Sequence, residues 1–117
     1  MIQVTPHVRI LVARQPLDFR TRIDGTAEAC RKVLRQEPMD GALFIFRNRA
    51  ATMIRGLIYD GQGFWCMTKR LSKGRFRHWC NPGKSTSETI AAHQLQSLIV
   101  GGDWANLEAA KIWRALT

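Results

Sequence analysis

Three cysteines, four prolines and one tyrosine are all that the chain holds of those residues, and only nine of its 117 residues are acidic. Each shortage removes a class of protein. Cys30, Cys66 and Cys80 are odd in number, far apart and without a CxxC pair, so the sequence predicts reduced thiols rather than a disulfide framework. A zinc site would have to add a second ligand pair to His78 and Cys80, and the sequence offers none, so no metal and no cofactor is expected. No stretch approaches the ~18 apolar residues of a membrane span. The start, "MIQVTPHVRI", lacks the charged, apolar and small-residue segments of a secretion signal, which makes the cytoplasm the expected location.

Scarce carboxylates also weigh against metal-dependent phosphoryl transfer, which needs two or three of them around the ions. The candidates are Asp18, Asp24, Asp60 and Asp103. Asp18 reads as a helix cap, Asp24 as part of a helix's wet face, and Asp60 as the opening residue of a turn. His7, His78 and His93 form no pair, and no serine or cysteine has a base beside it in the sequence. "PGKST" (82–86) resembles the end of a phosphate-binding loop, but the earlier glycine such a loop requires is replaced by His78. No catalytic residue is assigned, and no enzyme is expected.

What the chain has in excess is positive charge. Eighteen Lys and Arg give a net charge of +9, and most of these cations are arginine, whose planar fork suits phosphate. The excess is uneven. Residues 1–84 carry sixteen basic and six acidic side chains (+10), whereas residues 85–117 carry two and three (−1). A basic body from 1 to 84 that meets a polyanion and a near-neutral helical segment from 85 to 117 is the expected organisation.

Hydrophobic patterning predicts an α+β domain. Residues 8–14, "VRILVAR", read as a buried strand. From Asp18, the stripe Phe19, Ile23, Ala27, Cys30, Val33, Leu34 predicts an amphipathic helix to about Gln36, with Gly25 as a mild fault unless a close contact requires it. "ALFIFRNR" (42–49), "ATMIRGLIYD" (51–60), "FWCMTKRL" (64–71) and "RFRHW" (75–79) then predict an antiparallel β-meander, its turns at 48–51, "DGQG" (60–63) and "SKG" (72–74). "CNPGKSTS" reads as a linker. A helix ending at Gly101-Gly102 and a last short helix carrying Leu107, Ile112, Trp113 and Leu116 complete the chain.

Residues 59–79, "YDGQGFWCMTKRLSKGRFRHW", interleave Phe64, Trp65, Phe76 and Trp79 with cations. Arg47, Arg49, Lys69, Arg70, Lys73, Arg75 and Arg77 are the expected nucleic-acid contacts, with aromatics available to stack on bases. Arg20, Arg22, Arg31 and Arg35 extend that surface if the helix's outer face lies alongside it. The competing reading is a protein adaptor whose near-neutral tail, with Leu95, Leu98, Trp104 and Trp113, docks on a partner or on a second copy.

Four blocks, "RILVARQPLDFRTRIDGTA", "GALFIFRNR", "IYDGQGFWCMTKRLSKGRF" and "QLQSLIVGGDW", occur in that order across residues 8–104. In this the chain resembles the small accessory protein of IS-66-type bacterial insertion sequences, the TnpB or Orf2-like family. The family's usual forms look like "PxDMRKGIDGLA", "GxLFVFRxR", "WDGxGFxLxxKRLExGRF" and "QLxxLLxGIDW". The chain departs at Thr21 and Arg22, where Lys-Gly is usual, at Tyr59 for Trp, and at "FRHWCNP" for "FxWP". The resemblance implies an accessory role in transposition of a mobile element, beside a separate, larger transposase that carries the catalytic acidic residues. With it, the basic charge makes DNA and that transposase the expected partners, and the lack of long apolar runs leaves no membrane expected.

Overall fold

The computed structural model describes residues 8–80 and 85–104. Their organising element is a five-stranded sheet in the order β4-β3-β2-β1-β5, formed by β1 (Ile10–Ala13), β2 (Leu43–Arg47), β3 (Met53–Tyr59), β4 (Phe64–Arg70) and β5 (Ser87–Ile90). Two helices accompany it, α1 (Ile23–Lys32) and α2 (Ala92–Ile99), so the α+β class expected from the sequence is the class found.

β2, β3 and β4 form the antiparallel meander, in registers that set Phe44 opposite Leu57 and Leu57 opposite Cys66. The other two strands enter differently. β1 runs parallel to β2, joined through α1 as a crossover, and β5 closes the far edge antiparallel to β1. The sheet is therefore mixed. β1 is buried along its whole length, and "ILVA" is continuously apolar because both of its faces are covered.

Alternate residues feed two cores. Leu11, Ala13, Phe44, Phe46 and Leu57 point to one face, where Ala27, Cys30 and Leu34 of the α1 region pack on them. Ile10, Val12, Leu43, Ile45 and Ile58 point to the other, where Leu95, Leu98 and Trp104 pack with Cys80 and Ile90. Burial pushes the Cys30 thiol up to about 12 and raises Cys66 and Cys80 as well.

Several boundaries differ from expectation. Asp18 does not cap α1: its carboxylate accepts from the Arg20 backbone N–H at 2.9 Å and its carbonyl from Thr21 N–H, shaping a separate turn over residues 18–22. The helix begins at Ile23 and stops at Lys32, where Arg35 adopts a left-handed conformation (φ 54°) and Gln36 N–H returns to Cys30 O. Gly25 is required: a Cβ there would lie 2.7 Å from Thr21 Cβ, in the turn that abuts the helix. "RFRHW" is not a ladder strand. Its Phe76 N–H donates to Ala51 O (2.7 Å), and the segment crosses the hairpin instead of extending the sheet. Between the expected linker and the helix expected to end at Gly101-Gly102 lies an unexpected strand, β5, which takes the free edge of β1; α2 starts after it, at Ala92. The last short helix lies outside the described residues. At Gly101, with φ 82°, the expected stop to α2 is present.

Candidate nucleic-acid interface

Strand direction determines where the cations gather. β1 and β2 end, and β3 begins, at one end of the sheet, where β4 also ends and β5 starts. Arg47 closes β2, Arg49 lies in the β2–β3 turn, and Arg70 closes β4, so all three stand at this end. Leu71 N–H donates to Thr52 O and Phe76 N–H to Ala51 O, and these bonds hold the chain that carries Lys73, Arg75 and Arg77 against the same hairpin turn. The turn is itself rigid: Asn48 Oδ1 accepts from Thr52 and Met53 N–H at 2.9 and 3.0 Å, and Asn48 Nδ2 donates to Thr52 Oγ1. Ala51 there has φ 59°, an uncommon setting for a residue with a Cβ.

The seven expected residues divide by surroundings. Arg49, Arg70, Lys73, Arg75 and Arg77 are exposed, and none of the five makes an ion pair among the described residues. Arg47 is half-buried on the α2 face, its guanidinium 6.0 Å from the Trp79 ring, with a buried Nε that has no hydrogen-bond partner. Lys69 points to the same face and donates to Ile99 O at 2.6 Å, at the C-terminal end of α2, where a cation meets the negative end of the helix dipole. Arg20 is tied to Asp18 by a bidentate pair of 2.7 and 3.1 Å. That pair, with the Arg20 backbone N–H, holds Asp18 down at about 2.

The aromatics do not share the cations' surface. Phe76 is buried, Phe64 packs into the α1-side core, and Trp79 donates its indole N–H to Ala13 O at 2.8 Å. Only Trp65 among these four is well exposed, and it stands at the opposite end of β4 from Arg70. The interleaving seen along the sequence arises because inward aromatics alternate with outward cations, so the basic end offers charge and little stacking surface.

The expected partner residues also lie elsewhere. Leu95, Leu98 and Trp104 are core side chains of this chain, Leu98 being 1% exposed, and Trp104 donates to His78 O at 3.0 Å. Their apolar spacing matches the need to cover one sheet face. Trp113 lies outside the described residues.

Sequence reasoning passed over Arg55. This β3 residue is buried, with Nη1 donating to Thr21 O (2.8 Å) and Thr26 Oγ1 (3.0 Å), Nη2 to Phe19 O (3.0 Å), and its guanidinium 4.5 Å from the Phe19 ring. It anchors the 18–22 turn to the sheet. A lone arginine in the middle of an apolar strand, "MIRGLIY", was the available signal.

Between that turn and the β2–β3 turn runs an open groove of about 580 Å³, with Leu17, Phe19 and Met53 as apolar lining and Arg20 and Arg49 among its charged residues. The Leu17 N–H donates to Arg47 O at 2.8 Å and fixes the two walls together. "PLDFR" and "FRNR", far apart in sequence, thus meet at one site.

A family model described as "IS66 Orf2 like protein" matches residues 8–109. The chain belongs to the IS66 Orf2-like family. Two Sinorhizobium fredii (strain NBRC 101917 / NGR234) proteins, the uncharacterized proteins y4hO and y4jC, are 33% and 30% identical to it over 114 residues, covering 97% of this chain and 96% of each relative. No solved structure matches. Membership makes this an accessory protein of insertion-sequence transposition. Among the described residues, no helix is long and apolar enough to cross a membrane.

In this IS66 Orf2-like chain the "DGQGF" block is a structural turn. Asp60 Oδ1 accepts from Gln62 and Gly63 N–H at 2.9 Å each, and Oδ2 accepts from the Trp65 indole N–H at 2.8 Å. The Gly63 and Gln62 backbone donors, then the Trp65 indole, hold Asp60 down at about 2 from an ordinary 3.8. Because the folded value is depressed, this turn's stabilisation is complete above the ordinary carboxylate range and is lost as pH falls through about 2. Asp60→Asn is therefore expected to flatten the acid limb of stability between roughly pH 4 and pH 2, read as urea midpoints across that range. An unchanged acid limb would remove Asp60 from the account.

Proposed function

We propose that this accessory protein binds nucleic acid through the basic end of its sheet, contacting phosphates with Arg49, Arg70, Lys73, Arg75 and Arg77. The observation that carries the reading is the convergence, by strand direction and two backbone hydrogen bonds, of five exposed cations without ion-pair partners among the described residues. Side chains already paired with carboxylates would have to surrender those partners to bind a phosphate; these do not. The buried aromatics favour backbone contact over base stacking, so affinity arises chiefly from counterion release. Arg20, beside Arg49 in the groove, lies at the rim of this surface. Arg47 and Lys69, held by Trp79 and by the Ile99 carbonyl, serve mainly to brace it. No chemical step is assigned to the protein. Within the cell it works beside the separate transposase of the same element.

A location-specific test separates this from general charge attraction. Replacing Arg49, Arg70 and Arg75 together by Ala is expected to flatten the log–log dependence of duplex affinity on salt by about 2.7, one phosphate lost per arginine. Arg9→Ala with Arg35→Ala, exposed positions at the other end of the sheet, is expected to leave the slope within about 0.5 of wild type. Equal effects from the two sets would sink the assignment to the basic end. The adaptor reading loses its expected anchors Leu95, Leu98 and Trp104 to the core.

A further inference from the structure

β4 is the terminal strand of the sheet, and among the described residues no strand pairs with its outer edge. Two backbone bonds reveal which groups that edge presents. Leu71 N–H donates to Thr52 O at 2.9 Å and Asp60 N–H donates to Gly63 O at 3.0 Å, so odd-numbered residues of this strand turn their backbone groups towards β3. Phe64, Cys66, Thr68 and Arg70 therefore turn theirs outward. Edges of this kind are usually blunted by charge, proline or a bulge. Here the first five residues are "FWCMT", and charge is confined to Lys69 and Arg70. On the α2 side, Trp65 and Met67 are 42% and 46% exposed. Val100, next to the Ile99 carbonyl that holds Lys69, is 71% exposed.

We propose that a second copy of this chain covers the edge, β4 pairing antiparallel with β4 about a two-fold axis at Met67. The register follows from three requirements. First, outward-facing residues must meet outward-facing residues, and this axis sets Phe64 opposite the partner's Arg70 and Cys66 opposite the partner's Thr68. Second, every outward group of the strand is then used. An axis at Cys66 or Thr68 keeps the parity but carries Arg70 or Phe64 past the end of the facing strand. Third, each cation stands across from an aromatic, Arg70 from the partner's Phe64 and the aliphatic stem of Lys69, whose ammonium stays on Ile99 O, from the partner's Trp65, a favourable cross-strand pairing.

Charge agrees with the same arrangement. Antiparallel pairing brings each basic end towards the end of the partner's sheet where the Asp60 turn opens, so opposite charges approach. Each Asp60 keeps its own Gln62, Gly63 and Trp65 donors, and each Arg70 stays open to phosphate. The two Arg70 residues stand about 20 Å apart along the shared ladder, well beyond a Debye length of about 8 Å. On the α2 side, Trp65, Met67 and Val100 of the two copies come together and leave water. The ladder becomes one continuous ten-stranded sheet, with a basic end of each copy at opposite ends.

The test uses the full chain, freed of nucleic acid by nuclease and high salt, in sedimentation equilibrium. A dimer is expected for wild type and a monomer for Met67→Lys, which places like charges on the axis while leaving the β3 ladder intact. Met67→Cys in a Cys66→Ser background adds a readout of register. Residues facing across a non-hydrogen-bonded antiparallel pair have Cα atoms about 4.5 Å apart, within disulfide reach. Oxidation should link Met67→Cys into dimers and should not link Trp65→Cys, whose two copies lie about 14 Å apart. A wild-type chain that stays monomeric at every concentration overturns the proposal, as would a dimer that survives Met67→Lys unchanged.

Discussion

Arg55→Ala is expected to destabilise the fold by about 3 kcal/mol, a large share of a small domain's stability. The guanidinium makes three short bonds, to Phe19 O, Thr21 O and Thr26 Oγ1, and a longer one of 3.4 Å to Thr68 Oγ1. Removing it takes the donor from two part-buried carbonyls and from the buried Thr26 hydroxyl, at roughly 1–3 kcal/mol for a group kept from water, and opens a void between the sheet and the turn. The Phe19 ring, 4.5 Å from the guanidinium, loses its cation as well. Arg55→Lys keeps the charge but cannot span both carbonyls with one nitrogen, so it should recover less than half of the loss. Urea midpoints read both. A cost under about 1 kcal/mol for the alanine variant would show that the 18–22 turn is held by something else.

Leu98→Ala is expected to cost about 3 kcal/mol, within the range for a leucine removed from a packed core. At 1% exposure the side chain sits with Ile10, Val12 and Ile45 beneath α2, and no neighbour can fill the vacancy without shifting the helix. The variant decides between two roles. A core leucine lowers the denaturation midpoint of the isolated protein. A partner-facing one leaves the midpoint within about 0.5 kcal/mol and weakens only association with the transposase.

Much of the architecture was legible in the sequence because its signals were local. β-branched and aromatic runs placed β1 to β4, "DGQG" placed the turn organised by Asp60, and the Gly101-Gly102 pair placed the end of α2. What escaped depends on distant partners. "SETI" is short and polar, and becomes a strand only because β1, far back in the chain, offers it an edge, Val12 opposite Glu88 being one such pair. "RFRHW" alternates like a strand yet makes one backbone bond to the hairpin and no ladder. The parallel pairing of β1 with β2 needed the knowledge that α1 is a crossover.

The candidate site divides in the same way. Counting charge picks out Arg49, Arg70, Lys73, Arg75 and Arg77 as candidates, but not that strand direction collects them at one end of the sheet. Nor does sequence proximity distinguish an arginine in water from one like Arg47, packed over Trp79. Leu95, Leu98 and Trp104 look the same in sequence whether their apolar face meets the sheet or another protein. Only the packed structure assigns them to the core.

The most direct test of the basic end is wild-type affinity, by fluorescence anisotropy, across a salt series. Three labelled ligands serve: a duplex from the end of an IS66 element, a scrambled duplex and a single strand. Phosphate contact through the exposed arginines and lysine predicts binding to both duplexes that falls with a log–log slope of about −4 or steeper. Tighter binding to the element's end at the same slope would add sequence reading to that contact. Absence of binding at low salt, or binding that salt leaves unchanged, would contradict the account.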